Sequence, residues 1–411
     1  MTPCSNMVST EWAKKHCIID ITKGVVEART MAMKNSTWWW ISAAVSIVLV
    51  IVLVNLWIQM NQFVVEPTQL VNEQAVSAYL QENWEDRVVA QAGHIEPSMR
   101  VKTGIFIQSL KFFNSTEVNI TGYIWQRYQN DLHKSIIPGP DEIGFVLPEQ
   151  VDSSFDPREV YRVRTANEET IGWYFEATVR QPFDYATYPF DHKTVWMRIW
   201  HKQFSGNIIL VPDFGAYKGT GLADMFGIAE DIVLDTWERE NTYFDYSLSN
   251  YDTNFGISSY VGQQGFPELH YNLVVKRKFE NAFIIYLLPL FLVATLLFAG
   301  LLTVSADEEL TSRLGFDASG FIASCSVLFF VVMLAHIQLR EQFAGSSIVY
   351  IEYFYILMYS LLVLATVNTY LFSIRPKHGC GFILYRDNIV AKVGYWPAVL
   401  GSLILITLGF L

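Results

Sequence analysis

The sequence predicts an extracellular all-β domain, a β-sandwich with a short N-terminal helix, fused to a four-helix transmembrane bundle. One further transmembrane helix precedes the β domain. Two observations lead to this prediction. The chain has five apolar stretches long enough to cross a bilayer, which takes about 20 residues. Between the first two lies a polar segment of short alternating strands. The composition agrees, because 51% hydrophobic and 15% aromatic residues are high for a soluble chain.

The pattern divides the chain into spans and domains. The predicted spans are residues 38–58, 282–303, 320–339, 349–374 and 394–411. The predicted domains are an N-terminal segment (1–37), a transmembrane anchor (38–58), a helical lead-in (59–100), a β-sandwich (101–278) and a four-helix transmembrane domain (279–411).

Positive charge determines the predicted orientation in the membrane. Five lysines and arginines lie in residues 1–37, and four lie in residues 375–392. Cytoplasmic loops retain such residues, and five spans place both basic segments on the cytoplasmic side. We therefore expect a multi-pass protein of the cell (inner) membrane with a cytoplasmic N-terminus. The large domain and the C-terminus are then extracellular or periplasmic.

The first span is predicted to be a retained anchor, because its apolar run is about twice as long as the core of a signal peptide. It opens with Trp38, Trp39 and Trp40, which is typical of an interfacial aromatic belt. Asn55 is almost its only polar residue. We therefore expect this helix at the lipid-facing periphery of the bundle.

Charge and motif content exclude several classes of function. The net charge of −11 argues against nucleic-acid binding. The sequence has no phosphate-binding loop, zinc motif or nucleophile elbow, so we expect neither an enzyme nor a bound cofactor or metal. None of the four cysteines lies in the polar segment, so packing rather than disulfides must stabilise that domain.

The polar segment begins with an amphipathic helix over residues 68–92, in which Val76, Leu80, Trp84 and Val88 recur every fourth residue. Residues 101–113 and 117–128 then read as a β-hairpin around the turn at Asn114. A loop rich in proline, glycine and acids follows.

Later strands alternate between apolar and polar side chains. Strand 172–180 places Trp173, Phe175, Ala177 and Val179 on one face, and strand 194–201 places Val195, Met197 and Ile199 on one face. Three further strands are predicted over residues 207–212, 231–248 and 268–278, in a domain of about eight to ten strands.

A loop between two of these strands contains Tyr188, Pro189, Phe190 and Asp191. It resembles the Pro-loop signature of pentameric ligand-gated ion channels, the Cys-loop receptor superfamily, in their bacterial form without bracketing cysteines. Arg277 lies twelve residues before Pro289 in the first helix of a four-span block, and the stretch 346–355 looks like the loop between the second and third channel helices. The resemblance covers residues 100–411. The N-terminal anchor, the helical lead-in and a longer segment between the first channel helices depart from the family pattern.

The resemblance implies a homopentamer in a lipid bilayer that conducts ions, with cation selectivity. An extracellular or periplasmic small molecule or protons would open it. It also implies that the Pro-loop residues, Arg277 and Pro289 couple the β domain to the pore. The alternative is a membrane-anchored receptor or scaffold of the same fold that binds a ligand and does not conduct.

One helical stripe of the third span is predicted to line the pore. Its residues recur every three or four positions: Asp317, Phe321, Ser324, Leu328, Val331, Ala335 and Gln338. In this register Asp317 forms a cation-selecting ring and Leu328 an apolar constriction. Two alternatives remain open: a pore that begins near Arg313, and an interior helix whose serines bond neighbouring backbone.

An aromatic tract is the predicted ligand contact, because the resemblance implies a flap there and aromatic rings bind cations through their faces. Its members are Trp237, Tyr243, Phe244, Tyr246, Tyr251 and Tyr260. The same tract could equally be a mobile loop with ordinary aromatic anchors. His192 and His336 are candidate proton sensors, although surface or hydrogen-bonded histidines are commoner.

Overall fold

The computed structural model describes residues 36–86, 99–130, 133, 143–152, 156–203, 208–257, 264–305, 318–343, 346–374 and 381–411. The chain divides into two compact units. One, the β domain, contains Asn61–Phe283 together with Glu341–Val349. The other, the helical unit, contains the described part of Met1–Met60, then Ile284–Arg340 and Tyr350–Leu411.

The described elements follow one another in a simple order. They are α1 (Ser36–Met60), α2 (Glu73–Leu80), β1 (Met99–Phe112), β2 (Glu117–Gln129), β3 (Phe145–Val146), β4 (Gln150–Asp152), β5 (Arg158–Arg164), β6 (Glu168–Arg180), β7 (His192–His201), β8 (Ile208–Pro212), β9 (Trp237–Asn250), β10 (Gln264–Arg277), α3 (Phe279–Thr303), α4 (Ala318–Gln342), α5 (Glu352–Ile374), α6 (Gly381–Leu384) and α7 (Ile389–Leu408).

Two sheets form the β domain in a sandwich-like arrangement. The first has the strand order β4-β6-β2-β1-β8, with β5 also paired to β6, and the second has the order β3-β7-β10-β9. Within these sheets β1 and β8 are parallel, whereas the other described pairs are antiparallel. Both sheets contribute inward side chains to one hydrophobic core, among them Ile105, Ile124, Met197 and Tyr271.

The predicted alternation in β6 and β7 is confirmed, since all the residues assigned to their apolar faces are buried. The hairpin is also confirmed: the Asn114 side chain accepts hydrogen bonds from the backbone N–H groups of Thr116 and Glu117, which closes the turn. Strand 231–248 was predicted to begin too early, because a turn at residues 235–236, with Asp235 at φ 52°, directly precedes β9.

Helix α2 is shorter at its start than predicted. Asn72 caps it by accepting the N–H of Ala75, and Leu70 is already paired with Phe244 of β9, so the helix cannot begin at residue 68. A π-helical turn continues it, and Val76, Leu80 and Trp84 are buried as predicted, whereas Val88 lies outside the described residues.

Five of the described helices, namely α1, α3, α4, α5 and α7, are long and apolar enough to cross a membrane. They match the five predicted spans with shifted ends. Helix α5 begins at Glu352 because residues 349–351 form a separate turn, in which Tyr353 N–H donates to the Tyr350 carbonyl. Helix α7 begins five residues earlier than predicted, and its first turns include Lys392. The charge of Lys392 is compensated there by Asp387, at 3.0 Å.

Contacts within the helical unit show that neighbouring helices alternate in direction. Ser305, after α3, donates a hydrogen bond to Asp387, before α7. Tyr350, before α5, is hydrogen-bonded to Thr407 near the end of α7. Helix α1 is mostly exposed, and Asn55 bonds only its own helix, at the Ile51 carbonyl. Its Ser42 hydroxyl donates to a carbonyl of α7 at 2.6 Å.

Candidate functional site

The Pro-loop residues meet the end of the last strand in the β domain. Strands β7 and β10 pair with His192 opposite Lys276, which brings the preceding Asp191 beside the following Arg277. Arg277 Nε donates to Asp191 Oδ1 at 2.7 Å, and Nη2 donates to Oδ2 at 3.0 Å. The Tyr188–Pro189 peptide bond is cis. A carboxylate and a guanidinium thus form a buried bidentate pair.

Aromatic rings enclose the Arg277 guanidinium. Its central carbon lies 4.0 Å from the Trp237 ring centroid and 4.7 Å from that of Tyr188. Trp237 faces Arg277 directly across β9 and β10, and it stacks on Phe112. The Trp237 ring therefore lies between Arg277 and Phe112, which cover the faces that the sequence prediction had assigned to a ligand.

Lys193 is a second cation at this site, and the sequence reasoning missed it. Its Nζ lies 3.2 Å from Asp191 Oδ2, and each side chain is only 1% exposed. The same ammonium lies 3.6 Å from the Tyr185 ring centroid and donates a hydrogen bond to the Asp184 carbonyl. We call Asp191, Arg277 and Lys193 the ionic cluster. Its two cations and one carboxylate leave one net positive charge buried.

Burial and charge act in opposite directions within the ionic cluster. Burial acts to raise the pKa of Asp191, but Arg277 and then Lys193 outweigh it and hold that pKa below its ordinary value. Burial also lowers the pKa of Lys193, although the charge of Asp191 opposes this shift.

Phe343 joins this site from a distant part of the sequence. It lies in Glu341–Val349, the connection between α4 and α5, which belongs to the β domain. Its ring centroid is 4.6 Å from that of Tyr188 and 5.2 Å from that of Tyr185, and the side chain is 2% exposed. Tyr185 also donates to the Ser115 carbonyl in the β1–β2 turn. The only sequence signal was one aromatic residue just beyond a polar helix end.

Phe190 and Pro289 lie near the start of α3. Phe190 stacks on Phe279, with ring centroids 5.1 Å apart. Pro289 follows the π-helical turn Phe283–Leu287 inside α3. A proline lacks the N–H that an α-helical ladder needs, which accounts for the looser hydrogen bonding in that turn.

The predicted pore stripe does not coincide with the exposed face of α4. The buried face of the helix consists of Phe321, Cys325, Val332 and Leu339. Phe321 packs directly on Gly300 of α3, where an added Cβ would lie 2.9 Å from its ring. Phe321 is therefore a packing residue and not part of an exposed stripe. Ser324 is half-buried and donates to the Gly320 carbonyl.

Two grooves flank α4 on opposite sides. One of about 470 Å³ lies between α3 and α4 and includes Ser324 and Leu328. The other, of about 370 Å³, lies between α4 and α5 and includes Ser326 and Phe329. At about 3.6 residues per turn, one face points away from both grooves. We call it the open face of α4, and it consists of Ala323, Leu334 and Glu341, together with Val327 at its border with the first groove.

Three predicted pore residues lie near the open face. Val331 and Gln338 are exposed at its edge, and Ala335 is half-buried. Asp317 lies outside the described residues. The predicted pore stripe differs from the open face because it was chosen to include Phe321, and Phe321 packs against α3.

Half of the aromatic tract, namely Trp237, Phe244 and Tyr246, forms part of the β-domain core. Tyr243, Phe244 and Tyr246 lie within β9. Phe244 has no exposed surface, and the Tyr246 hydroxyl donates to the Leu210 carbonyl at 2.8 Å. Strand alternation turns Phe244 and Tyr246 into the sandwich core, whereas Tyr243 is buried on the other face of β9. These three residues therefore lie in a paired strand and not in a flap. Tyr260 lies outside the described residues.

Tyr251 follows β9 and joins a polar network. Its hydroxyl donates to Glu268 Oε1 at 2.8 Å, and it accepts a hydrogen bond from Arg198 at 2.9 Å. Trp200 and Phe255 contact its ring edge to face. This network ties the turn after β9 to strands β7 and β10.

A polar cavity of about 420 Å³ lies between α2 and the first sheet. Its walls include three cations and three acids: Arg100, Lys102, Arg127, Glu73, Glu168 and Asp213. Arg127 and Asp213 pair at 2.8 Å, and Lys102 and Glu73 pair at 2.6 Å. Such a lining suits a small polar or zwitterionic ligand.

The two candidate proton sensors have partners. The His192 ring contacts Phe63 at 5.9 Å, and burial lowers the pKa of His192. His336 stacks on Tyr355 and lies 3.2 Å from the Tyr359 hydroxyl. Among the residues that the structure describes, no group of three or more His, Cys, Asp or Glu residues is placed to hold a metal ion.

Comparison of the chain with protein-family models found no match, and comparison with curated proteins found none.

Proposed function

We propose that the protein is a ligand-gated ion channel of the pentameric Cys-loop receptor type, in which an event at the β domain opens an ion path along α4. The single observation that carries this proposal is the position of Phe343. It belongs to the connection between two apolar helices, yet it packs between Tyr185 and Tyr188 of the Pro-loop. Because close-packed groups do not slide freely past one another, a displacement of the Pro-loop moves the end of α4.

The alternating helix directions support the topology of this proposal. The chain leaves the β domain into α3, returns to it after α4, and re-enters the helical unit at Tyr350. These crossings are consistent with a β domain and a C-terminus on the outer side of the cell (inner) membrane. The basic segment 1–37 would then be cytoplasmic, as the positive-inside rule requires.

The open face of α4 is the proposed lining of the ion path. Val327 and Leu334 are large apolar residues that are 64% and 60% exposed. A cyclic homopentamer would cover this face around its axis, with the outer helices in contact with lipid. Leu334 would form the apolar constriction, and carboxylates of Asp317 and Glu341 would select cations at the two ends.

The proposed stimulus is a small molecule or protons acting on the β domain. The polar cavity beneath α2 is the proposed site for a small polar ligand, because its charged walls converge on an accessible volume.

Two measurements on the purified chain test this proposal. Native mass spectrometry should give the mass of five chains. Planar-bilayer recording across pH and a panel of small polar metabolites should give cation current. A native mass of one or two chains, or the absence of current from an intact pentamer under every condition, would contradict the proposal.

A second candidate function is a receptor of the same fold that does not conduct. The observation that favours it is the apolar open face, in which Ala323, Val327 and Leu334 offer no hydroxyl to a permeant ion. A pentamer that shows ligand-dependent protection of the polar cavity in hydrogen exchange, but carries no current, would support this candidate.

A further inference from the structure

Helix α2 forms the roof of the polar cavity in the β domain. Glu73, Val76 and Ser77 are spaced three and four residues apart, so they share the face of α2 that lines the cavity. The floor is the first sheet, in which β1 contributes Lys102 and β2 contributes Arg127. Roof and floor belong to the same compact unit, so the cavity lies wholly within the β domain.

Two cations face each other on the floor of the cavity. Lys102 pairs with Arg127 directly across β1 and β2, which places their Cβ atoms about 5 Å apart. Like charges in this position destabilise a sheet, so each cation needs an anion. Asp213 supplies one for Arg127, because its Oδ2 accepts a hydrogen bond from Arg127 Nε at 2.8 Å. The Asp213 side chain is only 3% exposed, and this pair is therefore fixed.

Lys102 has a partner that is held much less firmly. Its Nζ lies 2.6 Å from Glu73 Oε1, but the two side chains are 43% and 62% exposed. Water competes for an ion pair that is this exposed, so the pair contributes little to stability. The Glu73 carboxylate can therefore leave Lys102 at a low cost in free energy, whereas Asp213 stays on Arg127.

We infer that the cavity binds a small aliphatic carboxylate, and that the Glu73 side chain holds the place of the ligand's carboxylate until the ligand binds. The ligand's carboxylate then pairs with Lys102, and Glu73 turns out to water. One carboxylate replaces another, so the net charge in the cavity does not change. The apolar part of the ligand packs against Val76, Val211 and Pro212 of the lining. This assignment rests on the proposed function, in which this cavity is the ligand site.

A neutral or cationic ligand does not make this exchange. It cannot compensate the charge of Lys102, so it has to bind beside an intact pair of Lys102 and Glu73. Removal of the negative charge of Glu73 therefore has opposite consequences for the two classes of ligand. It frees Lys102 for a carboxylate, but it takes away an anion that a cationic ligand needs.

The test is a saturation-transfer NMR titration of the full chain in detergent. The probe is butanoate, and the comparison compounds are its neutral isostere butanamide and the cation butylamine. Glu73→Gln removes the competing charge, and its control is Glu82→Gln, at an exposed acid in the π-helical turn after α2 that does not line the cavity. Lys102→Met removes the cation, and its control is Lys111→Met on the same strand.

We expect butanoate to bind more tightly than butanamide or butylamine. Glu73→Gln should lower the Kd of butanoate about two- to fivefold, because the ligand no longer has to displace an ion pair. Lys102→Met should raise this Kd about tenfold or more, and both controls should leave it unchanged. A Kd of butanoate that stays the same or rises in Glu73→Gln would overturn the inference, and so would equal binding of either comparison compound.

This outcome is separable from that of the channel proposal, because the titration needs no current. Butanoate binding that tightens in Glu73→Gln, in an intact pentamer that never conducts, would support the exchange of carboxylates and refute the channel. Cation current from a chain that does not bind butanoate would support the channel and overturn the exchange.

Discussion

Replacing Asp191 by asparagine should destabilise the β domain, and removing Lys193 as well should restore part of the loss. Asp191 is the one carboxylate of the ionic cluster, and it accepts two hydrogen bonds from Arg277 while lying 3.2 Å from Lys193. The Asp191→Asn side chain has almost the same shape but no charge. It leaves two cations buried without their anion, a situation that costs about 3–5 kcal/mol when a buried pair is broken.

The second substitution isolates the role of Lys193. In the Asp191→Asn background, Lys193→Met removes one uncompensated charge and keeps an unbranched side chain against Tyr185. Coupling between such contacting groups is about 0.5–3 kcal/mol, so the double variant should be more stable than Asp191→Asn alone. Lys193→Arg retains the charge and should restore nothing, which makes it the matched control.

Thermal unfolding of the detergent-solubilised chain, followed by tryptophan fluorescence, measures both effects. A domain of this size loses about 2–4 °C of midpoint per kcal/mol. Asp191→Asn should then lower the midpoint by roughly 6–20 °C, and Lys193→Met should recover roughly 1–12 °C. Losses that simply add in the double variant would show that Lys193 is not balanced by Asp191. The reasoning about the ionic cluster would then be wrong.

Three further predictions concern the coupling site, the open face and the half-buried Asp245 of β9. Phe343→Leu keeps a buried apolar side chain but loses the ring that packs between Tyr185 and Tyr188. It should therefore weaken the response of the channel to its stimulus while lowering the free energy of unfolding by less than about 1.5 kcal/mol. An unchanged dose–response curve would refute the coupling role of Phe343. Leu334→Ser should ease opening of the channel in bilayer recordings because the hydroxyl hydrates the open face, whereas Leu328→Ser should not; the reverse result would favour the stripe predicted from the sequence. Asp317→Lys should shift the reversal potential, and an unchanged value would refute the cation-selecting ring. Burial raises the pKa of Asp245 to about 6, so between about pH 4 and pH 6 the folded chain holds a proton that the unfolded chain releases. The free energy of unfolding therefore falls as the pH rises through this range. Asp245→Asn should raise the thermal unfolding midpoint at pH values above the range and not at pH values below it.

The sequence alone determined the two-part architecture of this protein. Five apolar stretches and alternating strands such as β6 and β7 are local patterns, since solvent and lipid act on each side chain according to its own polarity. A shared role for Asp191 and Arg277 was also expected, but through a resemblance that covers residues 100–411 rather than through local chemistry.

Only the tertiary structure decided which side chains meet. Phe343 lies about 155 residues along the chain from Tyr185 and Tyr188, and nothing in its local sequence indicates those contacts. Lys193 lies only two residues after Asp191, but its local sequence does not indicate that Arg277 binds the same carboxylate. The face of α4 was misplaced for the same reason: a helical repeat indicates which residues share a face, but only the neighbouring helices determine which face is covered. Phe321 packs on Gly300 of α3, and the open face lies on the other side of α4. Periodicity is a property of one helix, whereas burial is a property of the helices packed around it.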